Sequence, residues 1–373
     1  MTERSDSAPD RTARTAVILV ALVGGIVACW MLLMPPGSGP DEASHLVRSG
    51  AVIRGDFDDA GAYVLPDRYR IPEPGCYAFD PTIAADCADV PLRTGADIVF
   101  KSRAGDYPVW SHAVYGVAGL APGLAPLWWA RLAGAAVATG LVAWALRTSL
   151  RARPLAAAAV LVGLTPMAWS VFATVNPSLF ATAGAVALWV GLLTRVSGPP
   201  ATHQLLVAIG WAALALSRRD GLIWAFITLA IALAATDRTA IDWWRSLRLP
   251  ARVVIGLSTV VTVVWGATSD ARTSRMVALA PLILVASETA RWWWARPATT
   301  GRVRYLGLAG GSVIGVAGLA VLLSRRPGGW DTALAIDVIA QTDDNLVEAI
   351  GVLGWLDTLI PWFAVFLWML LIG

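Results

Sequence analysis

Uncharged apolar runs alternate with short polar turns along most of this chain, and several runs have the length that crosses a bilayer. The first, 15–34, carries no charge, and about 20 apolar residues make a helix long enough to span the hydrocarbon core. A polar stretch follows from 35 to about 107, rich in Asp, Pro and Gly and too polar to enter lipid. The segment 110–123, bracketed by Pro108 and Pro122, is apolar but short, which suits a helix lying in the interface. Further apolar runs predict spans over 132–146 (with Trp128 and Trp129 as an aromatic belt), 155–174, 179–194, 205–216, 221–235, 253–267, 276–287 and 306–323. A second polar stretch, 324–359, precedes a last run at 360–372. The expectation is an all-α, polytopic transmembrane helical bundle of about ten spans with a large first loop.

Composition agrees. Of 373 residues 57% are hydrophobic and only 15% charged, against about 25% charged in soluble domains. Mean hydropathy is +0.62. The net charge of +3 would suggest nucleic acid in a soluble protein; here the arginines lie between apolar runs and are read as orientation signals, so nucleic-acid binding has no support. Arg4, Arg11 and Arg14 place the tail 1–14 in the cytoplasm, which makes 35–125 an extracytoplasmic loop with its interfacial helix and 324–359 a second outer loop. A cleaved signal peptide is the rival for 15–34, but its apolar core would be about 7–15 residues with a small-residue cleavage site, whereas Pro35-Pro36 follows here. The arginine clusters near 147–153, 238–252 and 291–304 all fall on the cytoplasmic side. Arg218, Arg219, Arg325 and Arg326 break that rule and are therefore functional candidates. The final run stops at Gly373 without a cytoplasmic flank, so a longer parent chain is expected, the residues 15–373 forming one transmembrane domain.

Three cysteines occur. Cys29 lies within the first run and reads as a small buried hydrophobe. Cys76 and Cys87 share the first loop; in an oxidising compartment they form a disulfide, and two free thiols are the alternative.

Many catalytic signatures are missing. A Walker loop is excluded, since Lys101 is the sole lysine, and no zinc-protease motif or nucleophile elbow occurs. What stands out is Ser38-Gly39-Pro40-Asp41-Glu42-Ala43-Ser44-His45, just beyond the first span. Ser38 reads as a helix cap with Asp41 three residues on and Pro40 in the first turn. Asp41 and His45, four apart, share a helix face, and Glu42 and His45 are three apart. The bland reading is that these acids complement the helix dipole. Asp56, Asp58 and Asp59 offer oxygen ligands for a divalent cation, with a solvated acidic loop as the alternative; no other cofactor is indicated. His112 and His203 are single histidines read as structural, and the nineteen tryptophans, Trp292, Trp293 and Trp294 among them, are interface anchors first. Sugar stacking is open only to outer-face tryptophans such as Trp110, Trp330 or Trp355.

The first span followed by Pro40-Asp41-Glu42, then His45, Arg48 and Gly55, resembles the opening of the bacterial membrane-protein family catalogued as domain of unknown function 2142. Gly354-Trp355-Leu356-Asp357-Thr358 with Pro361 resembles that family's later signature. Asn176-Pro177-Ser178-Leu179 sits where the family tends to have an Asn- and Asp-containing turn, with Ser178 in place of an acid. The resemblance implies a GT-C glycosyltransferase-like architecture, in which polyprenyl-phosphate sugars are donors and an acid of the first outer loop sits near the reacting centre. Carried onto this chain that acid is Asp41, with Glu42 and His45 in support, while 110–123 resembles the superfamily's membrane-parallel helix. Asn176, Trp355 and Asp357 are further candidates.

The expected activity is transfer of a sugar from a polyprenyl-phosphate-linked donor to an envelope glycan or lipid acceptor at the outer face of the cell membrane. A carboxylate accepts the proton of the attacking hydroxyl, and Arg218 and Arg219 grip the leaving phosphate, interfacial anchoring being their bland alternative. Two rivals stand: a transporter or flippase for a lipid-linked intermediate, which predicts broken helices and mid-membrane charges, and a non-catalytic scaffold.

Overall fold

Proline sets many of the helix limits. Pro126, Pro154, Pro166 and Pro200 each open a helix, where the missing N–H costs nothing and the fixed φ suits the first turn. A computed structural model describes residues 8–57, 61–72, 74–78, 80, 82–88, 95–105, 107–152, 154–193, 200–236, 238–269, 271–294, 352–353 and 358–359. Helix α1 (Ala8–Leu33) leads to the first loop, which holds α2 (Glu42–Ile53), strands β1 (Ala62–Pro66) and β2 (Asp97–Lys101), and α3 (Val109–Ala118). There follow α4 (Pro126–Ala152), α5 (Pro154–Gly163), α6 (Pro166–Ala173), α7 (Ser178–Leu193), α8 (Pro200–Ala215), α9 (Gly221–Thr236), α10 (Ala240–Ser246), α11 (Leu249–Thr268) and α12 (Ala271–Trp294). A two-residue strand pair, β3 (Val352–Leu353) and β4 (Thr358–Leu359), lies further on.

The protein is mainly helical, as its apolar runs require. Among the described residues three helices are long and apolar enough to cross a membrane, 14–33 within α1, α4 and α11, and up to five if two bent pairs each count as one span. Helices α7 and α8 are apolar but shorter. The expected runs 306–323 and 360–372 lie outside the described residues.

The structure corrects four details. The run 155–174 is not one helix: α5 and α6 meet at a 69° bend, because Pro166 lacks the N–H that would continue α5 and Thr165 caps the new helix instead. The fold is not all-α, since in the first loop Ala62 to Pro66 pairs antiparallel with Lys101 to Asp97, burying Tyr63 and Leu65 and exposing Val64. The interfacial segment is helical only over α3. Cys29 is exposed on α1 rather than buried in protein.

One core joins α1, α2, α4, α6 and α7, a second α8, α9, α11 and α12. The two meet where α7 and α8 run against each other almost backbone to backbone. A Cβ on Gly184 would stand 2.8 Å from the Leu214 amide nitrogen, and one on Gly210 2.6 Å from that of Leu188. Small residues at such crossings let helices pack without a hydrophobic driving force, which is what association inside lipid demands.

Candidate functional site

The loop after α1 is held down by a buried ion pair. Glu42, fully buried, accepts from Arg131 Nε at 2.8 Å and from its Nη2 at 2.7 Å, and also from the amides of Gly37 at 2.9 Å and Val175 at 3.0 Å. Arg131, near the start of α4 and equally buried, spends its remaining donors on the carbonyl oxygens of Met31, Met34 and Pro35. Those carbonyls close α1 and lack helical partners, so a guanidinium there satisfies both the helix end and the acid. Every strong acceptor site of Glu42 is filled. Its part is to fasten the end of α1, the start of α2 and the turn before α7 to α4, a positioning role rather than the proton-accepting one its sequence position suggests.

Asp41, one residue earlier, differs in each respect. It is exposed, and it sits in the left-handed region at φ +57°, the one non-glycine residue with positive φ among the described residues. Its side chain makes no capping bond. Ser38, the expected cap, lies outside α2 with its hydroxyl buried and unpartnered among the described residues. Aspartate tolerates this backbone better than most residues. The strain buys no cap; it turns the carboxylate out into the open.

His45 packs against α3. Its Nδ1 lies 3.2 Å from Nε2 of His112 on α3, and the ring stands edge-on to Tyr107 at 4.9 Å. Gly116 makes this meeting possible: a Cβ there would collide with the Ser49 carbonyl oxygen, so α2 and α3 touch backbone to backbone, and one turn back on each helix lie His45 and His112. Burial, then His112 and Arg218, hold His45 well below the usual histidine range. Burial pushes His112 down to about 3, with the Pro108 carbonyl opposing and Arg48 assisting. Both rings are neutral near pH 7. With Nδ1 of His112 toward the Pro108 oxygen at 3.4 Å, its Nε2 accepts from His45 Nδ1–H, which leaves the lone pair of His45 on Nε2.

Arg218 completes the cluster from the turn between α8 and α9. Its Nη1 donates to Ser178 Oγ at 2.8 Å, the guanidinium lies over the Tyr107 ring at 5.6 Å, and Asp220 Oδ1 is 3.4 Å from Nε. Asn176 lies alongside: its Oδ1 accepts from the Ser178 amide at 2.9 Å, its side-chain amide reaches the Pro40 oxygen, and Tyr115 donates to its carbonyl. Residues from the first loop, α3, the turn before α7 and the turn before α9 therefore meet at one end of the bundle.

A groove of about 900 Å³ leads away from that meeting point. Ser178, Arg218 and Asp220 stand at its head; Ala181, Ala185, Trp189 and Leu193 line it down the length of α7, with Ala156, Val160 and Gly163 of α5 opposite. Sixteen helical residues give it a length of about 22 Å, mainly apolar, with Thr182, Thr228 and Ser149 as polar lining residues beyond its head. Arg219 does not line it.

Of the other expected residues, Cys76 and Cys87 are joined in a disulfide. Trp355, Asp357 and Trp330 lie outside the described residues, as do Asp58 and Asp59; among the described residues no cluster of three or more His, Cys, Asp or Glu is arranged for a metal. Trp110 donates to the Leu216 carbonyl and packs edge-on to Trp265, anchoring α3 to the bundle. Three participants carried no sequence reading: Arg131, Tyr107, and His112 as a partner of His45. Arg131 has a signal, a charge in the apolar part of α4, well away from Arg147 and Arg151 at its other end; the other two are brought in by tertiary packing alone. A family model described as a predicted membrane protein (DUF2142) matches residues 25–372. No curated protein and no solved structure matches the chain.

Proposed function

The chain belongs to the DUF2142 family of predicted membrane proteins, and from that premise we propose that it is a multi-pass membrane glycosyltransferase of GT-C-like architecture. It moves a sugar from a polyprenyl-phosphate donor to an envelope glycan or lipid acceptor. The bundle has about ten spans, the tail 1–14 is cytoplasmic, and the first loop faces outward. The observation that carries the reading is the groove: a long, mainly apolar channel with an arginine at its head. It fits an isoprenoid chain with its phosphate at Arg218, whose guanidinium already bonds one hydroxyl oxygen at 2.8 Å.

The acceptor hydroxyl attacks the anomeric carbon of the donor. As that C–O bond forms, the bond from the anomeric carbon to the phosphate oxygen breaks, and its electron pair leaves with the polyprenyl phosphate. Arg218 meets the charge that grows on this phosphate. Asp41, exposed and free of a capping bond, takes the hydroxyl proton. Neutral His45 and His112 leave the donor phosphate to Arg218 and set the wall beside it.

The test is transfer from a panel of radiolabelled polyprenyl-phosphate sugars in membranes, with wild type and Asp41→Asn side by side. Transfer by wild type and loss in the variant is expected; equal transfer by both removes Asp41 from the reaction. One observation favours a transporter as the second reading, the 69° break between α5 and α6 beside the groove. No transfer from any donor, together with movement of a labelled lipid-linked sugar across reconstituted vesicles, would replace the first reading by the second.

A further inference from the structure

The structure assigns a second binding site to the first loop, on the face of α2 opposite His45. A cavity of about 860 Å³ lies between α2, β2 and the disulfide segment. Ala43 and Val47 form one wall, and both lie about 200° around α2 from His45, so the helix separates this cavity from the histidine pair. Cys76 and Cys87 form another wall, and their disulfide closes the short segment that would otherwise leave that side undefined. Tyr69 lines it with its hydroxyl buried and without a hydrogen-bond partner among the described residues. Among the described residues that line the cavity, the two charged ones, Arg70 and Lys101, are both cations and both exposed.

These features select a ligand chemistry. Two solvent-facing cations ask for anionic groups, and aromatic and aliphatic walls (Phe100, Ile98, Ile71) suit the apolar faces of sugar rings. The volume is that of a ligand of several rings rather than a single ion. We infer that the cavity binds an acidic oligosaccharide, a docking site for a charged glycan whose end can reach Asp41 around the first turn of α2. That last step rests on the glycosyltransferase reading; the binding itself does not.

The test is calorimetric titration of the full chain in phosphatidylcholine nanodiscs with tetragalacturonate, maltotetraose and inorganic phosphate. Tetragalacturonate binds and weakens with salt, and the neutral tetraose binds at least tenfold less tightly. Arg70→Gln with Lys101→Gln lowers the acidic affinity at least tenfold, whereas Lys101→Arg keeps it. Both side chains are exposed, so melting temperatures stay near wild type; Lys101→Gln alone carries the test if the pair does not fold. Opening the disulfide with a reductant lowers affinity as well. Equal binding of acidic and neutral tetrasaccharides, indifference to both cation changes, or phosphate binding as tightly as tetragalacturonate would each overturn the site. Charge-dependent binding of tetragalacturonate by a protein that transfers no sugar would leave this site standing and remove only the glycosyltransferase reading.

Discussion

Two charged clusters, side by side at the same end of the bundle, differ in one property. At Glu42 and Arg131 each carboxylate oxygen and each guanidinium nitrogen has a partner, and solvent reaches neither. At Asp41, His45, His112 and Arg218 capacity is left over: a carboxylate without a cap, an imidazole lone pair, a guanidinium bound to one hydroxyl and facing one acid at 3.4 Å. The first cluster joins segments about 90 residues apart in the chain and does so completely. The second is assembled by the same segments but left open. Saturated charges hold a fold; charges with unused valence are available to a substrate. Asp41 and Glu42 are neighbours in sequence, and only their partners tell them apart.

The sharpest way to break this comparison is to unpair the saturated cluster. Arg131→Met leaves Glu42 buried and uncompensated, and breaking such a pair from one side costs about 3–5 kcal/mol. Removing both charges with Glu42→Leu and Arg131→Met restores part of that loss. Recovery stays incomplete, because the carbonyls of Met31, Met34 and Pro35 and the amides of Gly37 and Val175 lose their partners as well. Chemical denaturation of the three variants in one detergent checks this; a double variant less stable than Arg131→Met would mean the pair is not what fastens the loop.

The histidine pair gives the next largest effect. Both rings are held neutral by burial, His112 down to about 3, while the unfolded chain protonates near 6.5. Between those values the unfolded state binds more protons, so stability is full above 6.5 and is lost as pH falls, by up to about 1.4 kcal/mol per pH unit for each ring. The charges facing the pair are Arg218 from the turn before α9 and Arg48 from α2, both of which oppose protonation. Melting temperatures from pH 8 to 4 should fall for wild type and fall less steeply for His112→Gln. Parallel curves would show that the pair does not titrate as a buried unit.

Arg218→Lys tests the open cluster by its function. Lysine keeps the charge but loses the planar fork, so transfer should drop about tenfold while stability changes by less than about 1 kcal/mol, since the arginine is partly exposed. Ser178→Ala removes one hydrogen bond to that arginine and should move transfer less than Arg218→Lys does.

Part of this was legible in the sequence. Uncharged runs marked where apolar helices would form, and the polar stretch after the first run marked where the chain leaves them. Two things were not legible. The partition of the Asp41-Glu42 pair depends on Arg131, which lies 89 positions away from Glu42, and no local pattern announces that contact. The break at Pro166 was visible as a residue, but hydrophobicity ran across it, and a periodicity argument weighs apolar content above a single missing N–H. His45 and His112 meet because Gly116 lets two backbones touch, a fact of packing that spacing cannot carry.

The smallest effect on stability is the most telling about Asp41. A residue at φ +57° is strained for any L side chain, so Asp41→Gly should stabilise the protein by up to about 1 kcal/mol if it relieves that strain. Asparagine tolerates the same backbone nearly as well as aspartate, so Asp41→Asn should be neutral within about 0.5 kcal/mol. Both changes delete the carboxylate. If the exposed acid takes the proton in transfer, the two variants lose activity together although one is more stable and the other unchanged. Activity that tracked stability, rising in Asp41→Gly, would mean that the backbone turn and not the carboxylate is what the site requires.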